Sequence, residues 1–123
     1  MIRHLYQGGE DTVTCGQHCV AMLCDVTVEE VIAVMGHAGP TYHPEVLDAI
    51  LILGRLPDPR RRLRFDWWTL EGDWLIDVRG AYGDQTWKHW IVKSDGQFYD
   101  PRSEAPGAER LWLYRPLTAR RIY

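Results

Sequence analysis

The sequence predicts an α+β domain in which helices come first and antiparallel strands second, with the helices packed on a small curved sheet. Three observations carry this. In the N-terminal half, apolar residues recur at helical spacing between start and stop signals. After Pro57-Asp58-Pro59 the pattern changes to short runs rich in β-branched and aromatic residues. Between two of those runs, Ser94-Asp95-Gly96-Gln97 has the composition of a hairpin turn.

Residues 1 to 14 are mixed and turn-rich, and Gln7-Gly8-Gly9-Glu10-Asp11 suggests an extended arm or short strand followed by a loop. Thr14 is placed to cap a first helix from Cys15 to about Leu23, where positions 19, 20, 22 and 23 form one buried face. A second helix follows from Val28 to Met35, opened by Thr27 with Glu30 and stopped by Gly36. A third starts near Pro44, ends at Gly54 and carries Val46, Leu47, Ile50, Leu51 and Leu53. Strands are expected around Arg62 to Phe65, Trp74 to Val78, His89 to Lys93, Gln97 to Tyr99 and Leu111 to Tyr114.

The 123 residues, 46% hydrophobic and 25% charged, suffice for one domain spanning 1–123 with a core of modest size. A formal charge of -3 gives no global attraction to nucleic acid or anionic lipid. No apolar run of about 18 residues is present and Met1-Ile2-Arg3-His4 does not open a secretory signal, so no membrane span and a cytoplasmic location are expected. The cysteines at 15, 19 and 24 are odd in number and share one helix or its end, which favours reduced thiols over disulfides. Their spacing does not match the close pairs of structural zinc sites, and no metal or organic cofactor is expected.

Cys15 is the candidate nucleophile. A thiolate attacks a carbonyl carbon far better than a thiol, and a helix N-terminus together with an imidazolium favours the charged form. His89, at the start of a strand, is the candidate base. Asp100, eleven residues further on across the Asp95-Gly96 turn, returns to hold its other ring nitrogen. The oxyanion formed on attack needs donors. The backbone N–H of Cys15 is one, and the side-chain amide of Gln7, across a glycine-containing loop, is the second candidate.

In these motifs the chain resembles the papain-like cysteine peptidases, most closely the bacteriocin-leader-processing peptidases and their small single-domain relatives. The resemblance rests on Gln7, on Cys15-Gly16-Gln17-His18-Cys19-Val20-Ala21-Met22, on His89-Trp90-Ile91-Val92 and on Tyr99-Asp100-Pro101. It implies a papain-like fold and a thiol hydrolase cutting a peptide or isopeptide bond of a peptide or protein substrate, with Cys15 as nucleophile, His89 as base, Asp100 as orienter and Gln7 as oxyanion donor.

Two other readings accompany it. The same triad could pass the acyl group to an amine, as an acyltransferase or transpeptidase. Alternatively, the scaffold could serve as a non-catalytic binding module or inhibitor, for which six Trp in a short chain offer contact surface. Cys19 and Cys24 read as buried and inert, and His18 as solvent-facing; His4, His37 and His43 show no acid partner comparable to that of His89. Arg60-Arg61-Arg62 and Arg64 with Phe65, Trp67 and Trp68 form a basic, aromatic stretch of the kind that can track phosphates, but the acidic balance argues against nucleic acid.

Overall fold

The computed structural model describes residues 2–9, 13–81 and 87–123. The Glu10-Asp11 part of the expected loop lies outside the described residues. Three helices and a four-stranded antiparallel sheet make up the regular structure, as the α+β pattern predicts: α1 (Cys15–Cys24), α2 (Val28–Met35), α3 (His43–Ile52), β1 (Asp73–Gly80), β2 (Lys88–Ser94), β3 (Gln97–Tyr99) and β4 (Tyr114–Ile122). Strand order across the sheet is β3-β2-β1-β4.

Local chemistry explains the helix limits. Asp25 ends α1 in the left-handed conformation, which a short polar side chain tolerates. Thr27 accepts the Glu30 N–H at 3.1 Å to start α2, and Gly36 at φ 85° closes it. At the start of α3, Glu45 accepts the Tyr42 N–H at 2.7 Å and also meets His37 Nε2 at 2.8 Å, so one carboxylate ties the preceding loop to the first turn. Asp95 and Gly96, both at positive φ, make the β2–β3 turn that brings Tyr99 opposite Val92.

Strand alternation divides the core in two. Leu75, Trp90 and Val92 pack under α1 and α3 against Cys19, Val20, Val46 and Ile50. Ile76, Val78, Ile91 and Phe98 lie in a second cluster closed by Leu70, Leu111 and Tyr114. Burying each such aliphatic side chain contributes about 1.5–3 kcal/mol, so the sheet is stabilised from both sides. Among the described residues the second cluster has no helix of its own beyond 3₁₀ turns at Trp67–Thr69 and Leu111–Leu113.

Two strand expectations are corrected. Arg62 to Phe65 is not a strand: Arg62 makes one isolated bridge to Ala119 and Pro57 one to Ile122, so this segment is a strap along the outer edge of β4. The last strand is Tyr114–Ile122, beyond the expected Leu111 to Tyr114, which is mostly the 3₁₀ turn. Pro116 and the flanking arginines hid it, since proline cannot donate to a ladder. A bulge accommodates it: Asp77 pairs Thr118 while Val78 pairs Pro116, which leaves Leu117 extra.

Candidate active site

Cys15 opens α1, in its first turn. Thr14 stands at the cap position, but its side chain makes no capping bond. It meets His18 Nδ1 at 3.2 Å instead, while its carbonyl receives the same nitrogen at 2.8 Å. This corrects two expectations, because Thr14 does not cap through its side chain and His18 is buried, not solvent-facing. Gly16 is required next to Cys15: a Cβ there would collide with Thr41 Oγ1, and Thr41 Cβ already stands 3.1 Å from that position. The loop carrying Thr41 can therefore close on the helix start and wall the cleft.

His89 sits at the second position of β2 and Asp100 just after β3, and the hairpin register returns one beside the other. His89 Nε2 donates to Asp100 Oδ1 at 2.6 Å. With Nε2 committed to Asp100, Nδ1 is the ring nitrogen left for Cys15, which lines the same cleft. Burial alone would drive the imidazole toward neutrality. The hydrogen bonds of Asp100 and Cys15 and their negative charge outweigh it, and the ring titrates at about 9 where an ordinary histidine titrates at 6.5. Asp100 shows the reverse balance: burial pushes its carboxyl up, but His89, Tyr114 and the Arg102 N–H hold it below the usual value.

Asp100 is a hub. Besides His89 it accepts the Arg102 N–H at 2.9 Å and the Tyr114 hydroxyl at 2.5 Å, with Arg110 Nε 3.4 Å from Oδ2. Tyr114 and Arg110 escaped the sequence reading because they lie beyond the hairpin, on a strand start and a turn with no periodic signal. Gln7 is buried, and its N–H donates to Pro101 O at 2.6 Å, which pins the N-terminal arm beside the residue after Asp100. Its side chain lines a neighbouring cleft with Thr14 and His18.

A cavity of about 310 Å³ opens onto Cys15 and His89, walled by Thr41, Tyr42, His43, Asp77 and Trp90. The expectation that no acid pairs with His43 or His37 as Asp100 does with His89 is corrected here, whereas His4 meets only a carbonyl. His43 Nε2 meets Asp77 Oδ2 at 3.2 Å and its ring stands edge-on to Trp90 at 4.8 Å, His37 pairs with Glu45, and His4 Nε2 meets Ser103 O at 2.6 Å. Asp77 also accepts the Thr118 N–H at 3.0 Å and the Thr118 hydroxyl. One signal was legible: a carboxylate inside Trp74-Leu75-Ile76-Asp77-Val78 is buried and so demands partners.

The other thiols differ from Cys15. Cys19 is fully buried, and burial pushes it well above its ordinary value, reinforced by the charges of Cys15 and Asp100. Burial raises Cys24 to about 11, partly offset by Arg55. The arginine run is dispersed. Arg62 lies over the Trp74 ring at 4.9 Å, whereas Trp67 and Trp68 pack edge-on against Phe98. Among the described residues no group of His, Cys, Asp and Glu is arranged to hold a metal ion, and no helix is long and apolar enough to cross a membrane. Comparison with protein-family models, with curated proteins and with solved structures finds no match for this chain.

The His89 balance has a stability consequence. The folded value of about 9 lies above the unfolded value of about 6.5, so the contribution is full below pH 6.5 and is lost as pH rises through 9. That gap corresponds to on the order of 3 kcal/mol. Urea unfolding of the wild type and of His89→Gln at several pH values between 6 and 9.5 should show the wild type losing its advantage across this window. A pH-independent difference would remove the imidazolium from the folded state.

Proposed function

We propose that the protein is a thiol hydrolase of papain-like fold that cuts a peptide or isopeptide bond through an acyl-enzyme on Cys15. The observation that carries this reading is that Cys15 and His89 line one cleft while the buried Asp100 stands behind the imidazole and accepts from its Nε2 at 2.6 Å.

His89 Nδ1 takes the proton of Cys15, and the thiolate at the helix start attacks the carbonyl carbon. Negative charge moves to the carbonyl oxygen, which the Cys15 backbone N–H at the helix start receives, while Gln7, lining the neighbouring cleft, does not face it. Collapse of the tetrahedral adduct breaks the C–N bond as His89 returns its proton to the leaving amine. Water, deprotonated by the same ring, then attacks the thioester and frees the acid and the thiol. Asp100 keeps the Nε2–H tautomer throughout, so that Nδ1 faces the reacting atoms.

Alkylation tests the first step. At pH 6, where an ordinary thiol is about 0.3% ionised, iodoacetamide should modify Cys15 at least about tenfold faster than a free thiol such as glutathione. Peptide mapping by mass spectrometry should find Cys19 and Cys24 unmodified on that timescale. A Cys15 rate equal to that of the free thiol sinks the proposal. Product analysis on peptide pools with and without an added amine then separates hydrolysis from acyl transfer, and full biological effect in Cys15→Ala would support a binding module.

A further inference from the structure

The cleft at Cys15 does not end at the catalytic pair. Lys88 and His89 also line a second cavity of about 320 Å³, whose other walls are Trp87, Arg102 and Arg110. The two cavities therefore share a rim at Lys88 and His89, which leaves an extended chain seated on Cys15 room to run past His89 into the second.

We infer that this second cavity is an anion subsite and that the substrate is an acidic peptide, carrying Asp or Glu side chains beside the scissile bond on its His89 side. The inference rests on the hydrolase reading for the direction of the chain, though not for the charge of the subsite.

Among the described residues its walls present Lys88, Arg102 and Arg110 and no carboxylate. Arg110 is held in a particular way: Nε is turned to the Tyr114 hydroxyl at 3.3 Å and to Asp100 Oδ2 at 3.4 Å, which leaves its two terminal NH₂ groups outside that network. A guanidinium fixed by Nε offers a preorganised fork to a carboxylate. Asp100 behind it offsets only part of the local positive charge, because that carboxylate is shared with His89, and Lys88 and Arg102 stand on the same rim. Trp87, half-exposed and edge-on to Tyr114 at 5.9 Å, adds an apolar wall for the methylenes of a Glu side chain.

The rest of the molecule sharpens the contrast. Between Arg3 and Arg55 the chain has no Lys or Arg, so the helical layer offers an acidic ligand no counter-charge. The arginines of the 60–64 strap lie along the outer edge of β4, and Arg62 is bridged to Ala119 there. An acidic peptide is therefore attracted where the nucleophile is and repelled by the helices. Anchoring through Arg110 also places a substrate carboxylate one residue away from the group that orients His89.

The test is direct binding to the full-length Cys15→Ala protein, followed by fluorescence anisotropy, so it reads out whether or not the hydrolase reading survives. Fluorescein-labelled heptapeptides rich in Asp and Glu, in Asn and Gln, or in Lys serve as probes. At about 50 mM salt the acidic peptide should bind about tenfold more tightly than its amide counterpart, and at about 0.5 M salt the margin should fall to about twofold. Lys88→Glu should weaken the acidic peptide about fivefold and strengthen the Lys-rich one, reversing the order; Arg102→Gln, carrying no new charge, should weaken the acidic peptide in the same direction. Equal dissociation constants for the acidic and amide peptides would overturn the inference. So would an oligothymidylate that binds more tightly than the acidic peptide, which would assign the surface to nucleic acid.

Discussion

In the proposed hydrolase, Asp100→Asn is expected to slow acylation of Cys15 by about 10³- to 10⁴-fold while leaving the domain folded. The carboxylate accepts from four directions at once: His89 Nε2, the Arg102 N–H, the Tyr114 hydroxyl and, at longer range, Arg110. An amide has only one acceptor oxygen. If that oxygen keeps His89 and the Arg102 N–H, both of which now meet Oδ1, the NH₂ group faces Tyr114, whose hydroxyl must turn to accept, and Arg110, which cannot. If the amide flips, its NH₂ faces Nε2, and the imidazole must carry its hydrogen on Nδ1, directed at the sulfur. A ring in that tautomer cannot take the proton of Cys15.

The loss of charge also removes most of what holds His89 at about 9, so the imidazolium that pairs with a thiolate is no longer favoured at neutral pH. The measurement is the second-order rate of Cys15 alkylation from pH 5 to 9, with circular dichroism to check folding. The variant should follow the pH dependence of a free thiol, whereas the wild type should react below pH 7. An unchanged profile would show that Asp100 is not the orienter.

Much of this hub was legible in the sequence, and the missing part has a physical reason. Cys15, His89 and Asp100 lie at places where local chemistry fixes position: a helix start, a strand start, and the far side of a two-residue turn whose positive φ values only a few residue types accept. Such signals are short-range. The helix limits of α2 were readable for the same cause, since Thr27 and Gly36 act within one turn. Tyr114, Arg110 and the full extent of β4 depend on pairing across some forty residues, between β1 and β4, and on a bulge that absorbs Pro116. No local pattern encodes that register. His18 was misread because a histidine in a helix counts as polar, yet here it turns back onto the Thr14 carbonyl and is buried with it. Arg62 to Phe65 reads as a strand by composition, but a strap needs only two bridges to follow an edge.

Removal of the second buried carboxylate should cost the fold more than any surface change. Asp77 lies on β1 at the bulge, where its Oδ1 accepts both the N–H and the hydroxyl of Thr118 while Oδ2 meets His43 Nε2 at 3.2 Å. One side chain thus fastens the outer strand β4 and the first turn of α3 to the centre of the sheet. In Asp77→Ala the Thr118 N–H loses its partner, and water must enter or the bulge must shift. An orphaned buried donor costs about 1–3 kcal/mol, and the lost contact to the partly exposed His43 adds about 1 kcal/mol, so a loss of about 2–4 kcal/mol is expected. Asp77→Asn keeps an acceptor oxygen for Thr118 and should cost about 1–2 kcal/mol. Urea unfolding at pH 7 with an unchanged slope measures both. Equal losses in the two variants would mean that the charge on Asp77, and not its bond to Thr118, holds the bulge. Although His43 and Asp77 also wall the cavity onto which Cys15 opens, neither bonds Cys15 or His89, so the alanine variant should slow Cys15 alkylation only through the folded fraction, and correcting the rate for that fraction should restore the wild-type value. A residual deficit after that correction would place Asp77 in the chemistry as well as in the fold.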